Sequence, residues 1–192
     1  MTQSFFALID HLNSCTAQDR ARVEELVWNA FGVERAIMAL DMSDFSLTAR
    51  RDGILPYLGQ IRRMQVVTGP IVRECGGEVI KYVADNLMAV FPDGREAVRA
   101  AVKINQALPS ERGAPAVSVG IDYGRFLMIP GEDCYGDPVN VAYKLGEDLA
   151  RPGEILITAN VRARLEPETD SLREQQVSIS GLEFLAYSVV YA

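Results

Sequence analysis

Two carboxylates stand where strands should end. Asp41 lies near the end of the apolar run 36–42 (AIMALDM), and Asp85 sits in the turn between two strand-like runs, 78–82 and 87–91. A pair of carboxylates at converging strand ends suits Mg²⁺, which takes one or two of them and leaves its other positions to phosphate and water. That donor set belongs to phosphate chemistry on a nucleotide, although taken singly either residue reads as a cap or a turn residue. A second pair, Asn140 and Lys144, is four residues apart, the spacing that puts two side chains on one face of a helix. Lysine is scarce: it occupies only positions 81, 103 and 144, against sixteen arginines. Each lysine therefore raises the question of what its site needs. The one histidine, His11, precedes all of these residues, so a histidine general base is not available to them.

The elements that must hold these residues follow from periodicity. Phe5, Phe6, Leu8, Ile9 and Leu12 recur at helical spacing, and Thr16 with Asp19 offers a cap for a second helix over 17–30. Gly32 is placed to close that helix in a left-handed conformation, and Trp28 reads as an apolar anchor. The run 36–42 predicts a buried strand. Ile54, Leu55, Leu58, Ile61, Met64, Val67, Ile71 and Val72 predict a helix within 51–75, ended by Gly76 and Gly77. The hairpin around Asp85 comes next, then a helix over 93–108. Two strands, 116–122 and 126–129, are expected to meet at Tyr123, Gly124 and Arg125. A third helix is expected over 138–149, followed by a strand over 154–158, a short helix over 160–165 and two strands, around Val177 and over 184–191. The order is that of an α+β fold: a ferredoxin-like βαββαβ core with extra C-terminal strands and an N-terminal helical preface. Residues 1–32 form the preface and 33–192 the domain proper.

Composition limits the function classes. With 48% apolar and 23% charged residues the chain can bury a core. Its net charge of −7 and pI near 4.8 repel phosphate polymers and anionic lipid, which argues against nucleic acid and membrane as partners. Cys15, Cys75 and Cys134 are odd in number and widely spaced, as expected in a reducing compartment. With no basic leader and no apolar run of membrane-spanning length, the expectation is a cytoplasmic protein.

The segments AIMALDMSDF, GGEVIKYVADNLMAVF, VSVGIDYG, EDCYGDPVNVAYKL and ARPGEILIT resemble, in order and spacing, the successive blocks of the class III adenylate and guanylate cyclase family. The resemblance covers about residues 33–192. The stretch 120–140 is short, which is similar to the class IIIc subgroup with its shortened dimerisation arm.

That resemblance implies a homodimeric nucleotidyl cyclase converting ATP to 3′,5′-cyclic AMP and pyrophosphate. It implies Asp41, Asp85 and the Met42 carbonyl as ligands of two Mg²⁺ or Mn²⁺ ions per site, with Phe45 among the substrate-binding residues. Lys81 and Asp133 fall where the family reads the purine, and here a donor and an acceptor match N1 and the amino group of adenine. Cytosine offers the same order on that edge. Asn140 matches the ribose-orienting asparagine, and Lys144 stands where the family has a transition-state arginine. The sites would lie across the dimer, with the metal carboxylates from one copy and the other four residues from its partner. Asp44 and Ala84 replace usual glycines, and the family's tail lysine is missing, with Arg173 a substitute at most. These departures keep two alternatives open: a slow or inactive nucleotide-binding regulatory module, and a cyclase for GTP or a pyrimidine triphosphate.

Overall fold

A computed structural model describes residues 1–42, 50, 53–108, 116–166, 171–179 and 182–191. Two antiparallel-packed helices open it, α1 (Thr2–Ser14) and α2 (Ala17–Phe31). Thr16 caps α2 by accepting from the Asp19 amide at 3.3 Å, while Asp19 accepts from the Thr16 hydroxyl at 2.7 Å. Gly32 does not turn left-handed. At φ −72° and ψ 130° the chain runs straight from α2 into β1 (Gly32–Met42). Glycine is needed there for another reason: a Cβ would lie 2.3 Å from the Trp28 carbonyl oxygen.

The remaining elements are α3 (Ile54–Glu74), β2 (Glu78–Val83), β3 (Asn86–Phe91), α4 (Gly94–Ala107), β4 (Val117–Ile129), β5 (Asp133–Tyr135), α5 (Asp137–Tyr143), a π-helical turn (Lys144–Leu149), β6 (Ile155–Thr158), α6 (Ala159–Arg162), β7 (Ser171–Ile179) and β8 (Leu182–Val190). The eight strands form one sheet in the order β2-β3-β1-β4-β6-β8-β7, with β5 paired to β4. All neighbours are antiparallel except β4 and β6, which the α5 crossover joins in parallel. This is the expected α+β layout with its C-terminal extension and helical preface.

Strand alternation divides the core. Met38, Leu40, Leu87, Phe91, Val119 and Ile121 meet α3 and α4 on one face. Ile37, Ala39, Met88, Val90, Phe126 and Val139 pack on the other, where α5 lies. Two expectations over the second half are corrected. Strands 116–122 and 126–129 are one continuous strand, β4. Gly124 reads as a turn residue, but it serves close packing: a Cβ there would lie 2.8 Å from Pro138 Cγ of α5. The expected helix over 138–149 is α-helical only to Tyr143 and then widens into the π-helical turn, a form often found at functional sites.

Candidate active site

Asp41 is the penultimate residue of β1, opposite Ser118 of β4. By strand alternation it shares the α5 face with Ile37 and Ala39. Met42 buries its side chain in the core, so only its backbone is available at the strand end. Asp85 lies in the β2–β3 turn, which Ala84 enters at φ +50°. The two carboxylates are neighbours. Burial first, then the charge of Asp85 and that of Glu147, push the Asp41 carboxyl up to about 6, against a small opposing effect of the Met42 amide.

Two residues that the sequence reading missed complete this cluster. Tyr57, buried on α3, has its hydroxyl against Asp85; burial and then that acceptor raise its pKa well above the ordinary phenol. Glu147, on the π-helical turn, accepts from Asn86 Nδ2 at 2.8 Å. Burial first, then Asp148 and with smaller weight Asp85, raise its pKa. Neither has a motif spacing relative to Asp41 and Asp85. What could have pointed to Glu147 is the glycine pair that places its turn. A Cβ on Gly120 would lie 2.1 Å from the Ala142 carbonyl, and one on Gly146 would lie 2.9 Å from that of Ala39. Only glycine at both positions lets the turn lie directly on β1 and β4.

Among the described residues no group of three His, Cys, Asp or Glu side chains converges to hold an ion by itself. The donor set nevertheless fits a divalent cation. Asp41 is held beside like charges that oppose its ionisation, and such a cation relieves that opposition while leaving coordination positions for phosphate and water. Phe45, with Asp44, lies outside the described residues.

Lys81 of β2 and Asp133, which begins β5, form an ion pair of 2.7 Å. Both side chains remain a little over a quarter exposed, so the donor and acceptor stay accessible to a ligand edge. The Asp133 carboxylate also accepts from the Cys134 amide at 2.8 Å. Tyr143 of α5 lies between the groups: burial, then Glu147 and Asp133, push its hydroxyl up to about 12.

Asn140 and Lys144 line a third region, a cavity of about 640 Å³ that also includes Asp122, Thr158, Asn160 and Phe184. Asp122 is buried, accepting from the Thr158 hydroxyl, from Asn160 Nδ2 at 3.2 Å and from the Tyr123 amide at 2.7 Å. Its burial raises its pKa despite those bonds. Lys144 Nζ is held by Asp148 at 2.7 Å. A single chain therefore brings the residues together in three pairs, Asp41 with Asp85, Lys81 with Asp133, and Asn140 with Lys144. The cavity lined by the last pair includes none of the other four.

No protein-family model matches the chain. An adenylate cyclase of Anabaena cylindrica is 33% identical over 138 residues, which cover 59% of this chain and 28% of that protein. Across the curated relatives it matches, the chain spans between 24% and 37% of their length. Among solved structures, the catalytic core of a rhodopsin-guanylyl cyclase with converted specificity, in complex with ATPαS, has a TM-score of 0.74 at 17% identity, covering 83% of this chain and 98% of that one. A bacterial light-regulated adenylyl cyclase gives 0.71 at 22%, covering 82% and 90%. At these identities the structures speak for the fold. No helix among the described residues is long and apolar enough to cross a membrane. In sequence the chain is similar to named adenylate cyclases, and its fold is that of the class III adenylyl and guanylyl cyclase catalytic domains.

Proposed function

We propose that the chain is an adenylate cyclase domain, closing ATP to 3′,5′-cyclic AMP and pyrophosphate at sites shared between two copies. The observation that carries this is the Asp41–Asp85 juxtaposition at the end of β1, with Asp41 pushed up to about 6 by burial and by its neighbours. A folded chain keeps such an arrangement at a cost unless a cation or a proton resolves it.

In the reaction the ribose 3′-oxygen bonds to the α-phosphorus, the bond from that phosphorus to the β-phosphate oxygen breaks, and the hydroxyl proton leaves to solvent. Two Mg²⁺ or Mn²⁺ ions held by Asp41, Asp85 and the Met42 carbonyl would supply charge neutralisation and a more acidic 3′-hydroxyl. The chain's own residues orient the substrate. Lys81 donates to adenine N1 and Asp133 accepts from the amino group. Asn140 holds the ribose and Lys144 sets positive charge beside the phosphates, without the bidentate fork an arginine would bring. Incubating the protein with Mn²⁺ and each of the four common ribonucleoside triphosphates, with products read by mass spectrometry, tests the reading. Cyclic AMP is the expected dominant product. No cyclic nucleotide from any triphosphate would overturn it.

One observation favours a second reading, a nucleotide-binding regulatory module of low turnover. Lys144, the one cation among the residues lining its cavity, is already paired to Asp148. ATP binding with Mn²⁺ but without product would select that reading.

A further inference from the structure

The helical preface touches the chain on both sides of Asp133, at Glu132 and at Tyr135 of β5. Strand β5 is three residues long and, among the described residues, pairs only with β4, in the register Ile129 to Asp133 and Leu127 to Tyr135. So short a strand has little hold of its own on the side chain that faces Lys81. Helix α1 supplies a hold. Phe5, buried at 4% exposure, stacks on the Tyr135 ring with centroids 5.6 Å apart and planes 8° from parallel. It also meets Phe31 edge-on at 5.0 Å and packs with Val27 and Ile129. At the other side of Asp133, the Thr2 hydroxyl donates to the Glu132 carboxylate. The Tyr135 hydroxyl in turn lies against Asp133: burial first, then the Asp133 charge and its acceptor oxygen, raise the phenol pKa. A chain of contacts thus runs from Phe5 through Tyr135 to Asp133 and Lys81.

We infer that α1 is a positioning element for base selection, with Phe5 and Tyr135 fixing the Asp133 carboxylate at the distance from Lys81 that adenine requires. Phe5 and Tyr135 are positioning residues and touch no substrate. The inference rests on the reading that Lys81 and Asp133 receive the base. It makes the N-terminal preface part of substrate selection.

The physical basis is the tolerance of a donor and acceptor pair for displacement. A hydrogen bond weakens steeply once its angle falls below about 120° or its distance exceeds the usual range. Freeing β5 to shift by a fraction of an ångström therefore degrades adenine recognition more than it degrades the fold.

The test uses the full chain with Mn²⁺ and measures, for ATP and GTP in parallel, the equilibrium dissociation constant and kcat/KM. Three variants are compared with the parent. Phe5→Leu keeps apolar volume and removes the stacked ring. Tyr135→Phe keeps the stack and removes the hydroxyl that faces Asp133. Asp133→Ala removes the acceptor itself. We expect Phe5→Leu and Tyr135→Phe each to lower the ATP preference over GTP by at least about threefold, through weaker ATP binding and higher KM with kcat little changed. Asp133→Ala should lower it further. A purely structural role for Phe5 would change expression and thermal midpoint but leave that ratio alone. An unchanged ratio in both Phe5→Leu and Tyr135→Phe, with Asp133→Ala shifted, overturns the positioning role and leaves base reading intact. An unchanged ratio in Asp133→Ala overturns the base reading, and this inference with it. If Phe5→Leu fails to fold, Tyr135→Phe, at a residue 40% exposed, decides alone.

Discussion

At the scale of single residues, the carboxylate cluster holds like charges together at a cost in stability. Asp41 is raised to about 6 by burial, Asp85 and Glu147. Asp41→Asn removes the charge and keeps the shape, so two effects of opposite sign are expected. Cyclisation should fall by at least about a hundredfold, because a proposed ligand of the divalent ions is lost. In EDTA the same variant should be more stable than the parent at pH 8, by about 1 kcal/mol once screening of a partly exposed group is allowed for. The sign follows from linkage: a carboxylate whose folded pKa exceeds its unfolded one favours the folded state when protonated. The parent therefore catches up with the variant as pH falls through about 6 toward 4. Urea unfolding at pH 8, 6 and 5 with circular dichroism checks this, and a variant less stable than the parent at every pH would refute it. Glu147→Gln should behave differently. The amide oxygen can still accept from Asn86, so the turn stays, but one charge near the cluster is gone. The Mn²⁺ concentration for half-maximal activity should rise roughly threefold to tenfold, with maximal rate largely kept, as fits an electrostatic neighbour rather than a ligand. A Mn²⁺ titration of parent and variant decides it.

At the scale of elements, the backbone positions matter as much as the side chains. Ala84 sits at φ +50° in the turn that carries Asp85, a conformation that costs a residue with a Cβ about 1–2 kcal/mol. Ala84→Gly removes that strain and adds unfolded-state entropy, for a net gain of about 0.5–1 kcal/mol in unfolding free energy. Gly120→Ala should do the reverse. Its Cβ would fall 2.1 Å from one backbone oxygen and 2.4 Å from the Gly146 nitrogen, so the π-helical turn must lift off the sheet, at about 3 kcal/mol or more. Chemical denaturation of both variants tests the pair of signs. These positions also show what a linear reading can and cannot see. Strand β1, the Asp85 hairpin and the helices α2 and α4 were legible because apolar period and capping residues are local signals, as with Thr16 and Asp19 over α2. Continuous β4 was not, because Gly124 looks the same in sequence whether it makes a turn or admits Pro138. The π-helical turn was hidden for a similar reason: its 3.6-like apolar spacing conceals one extra residue per turn, which the Gly120–Gly146 contact accommodates. Hence Tyr57, which reaches the site only through tertiary packing, had no signature, and Glu147 had only the indirect one of the glycines that seat its turn, whereas Asp41 and Asp85 stood at strand ends.

At the scale of the whole molecule, the arrangement of the site residues bears on assembly. One chain gathers them into three pairs on the sheet and its α5 face, and the cavity beside Asn140 and Lys144 includes neither Asp41 nor Asp85. The proposed reaction, with the carboxylates at the α-phosphorus and Asn140 at the same ribose, would then call for two copies, head to tail, each lending half of each site. The proposed twofold dimer would hold two equivalent sites, each built from the β1 end of one copy and the α5 face of the other. Inactive chains should therefore complement. Asp41→Ala lacks a carboxylate but keeps Asn140, and Asn140→Ala keeps both carboxylates. In a mixed dimer one site carries both defects and the other carries neither. Equal mixing with free subunit exchange makes half the dimers mixed, so about a quarter of parent activity should return from two chains that are separately near zero. Exchange is checked by co-purification of differently tagged chains, and the recovered rate should scale with the mixed fraction as the ratio of the two chains is varied. Co-purification without any recovered cyclic nucleotide would mean that each chain carries its own complete site, and that the three pairs converge within one copy upon substrate binding.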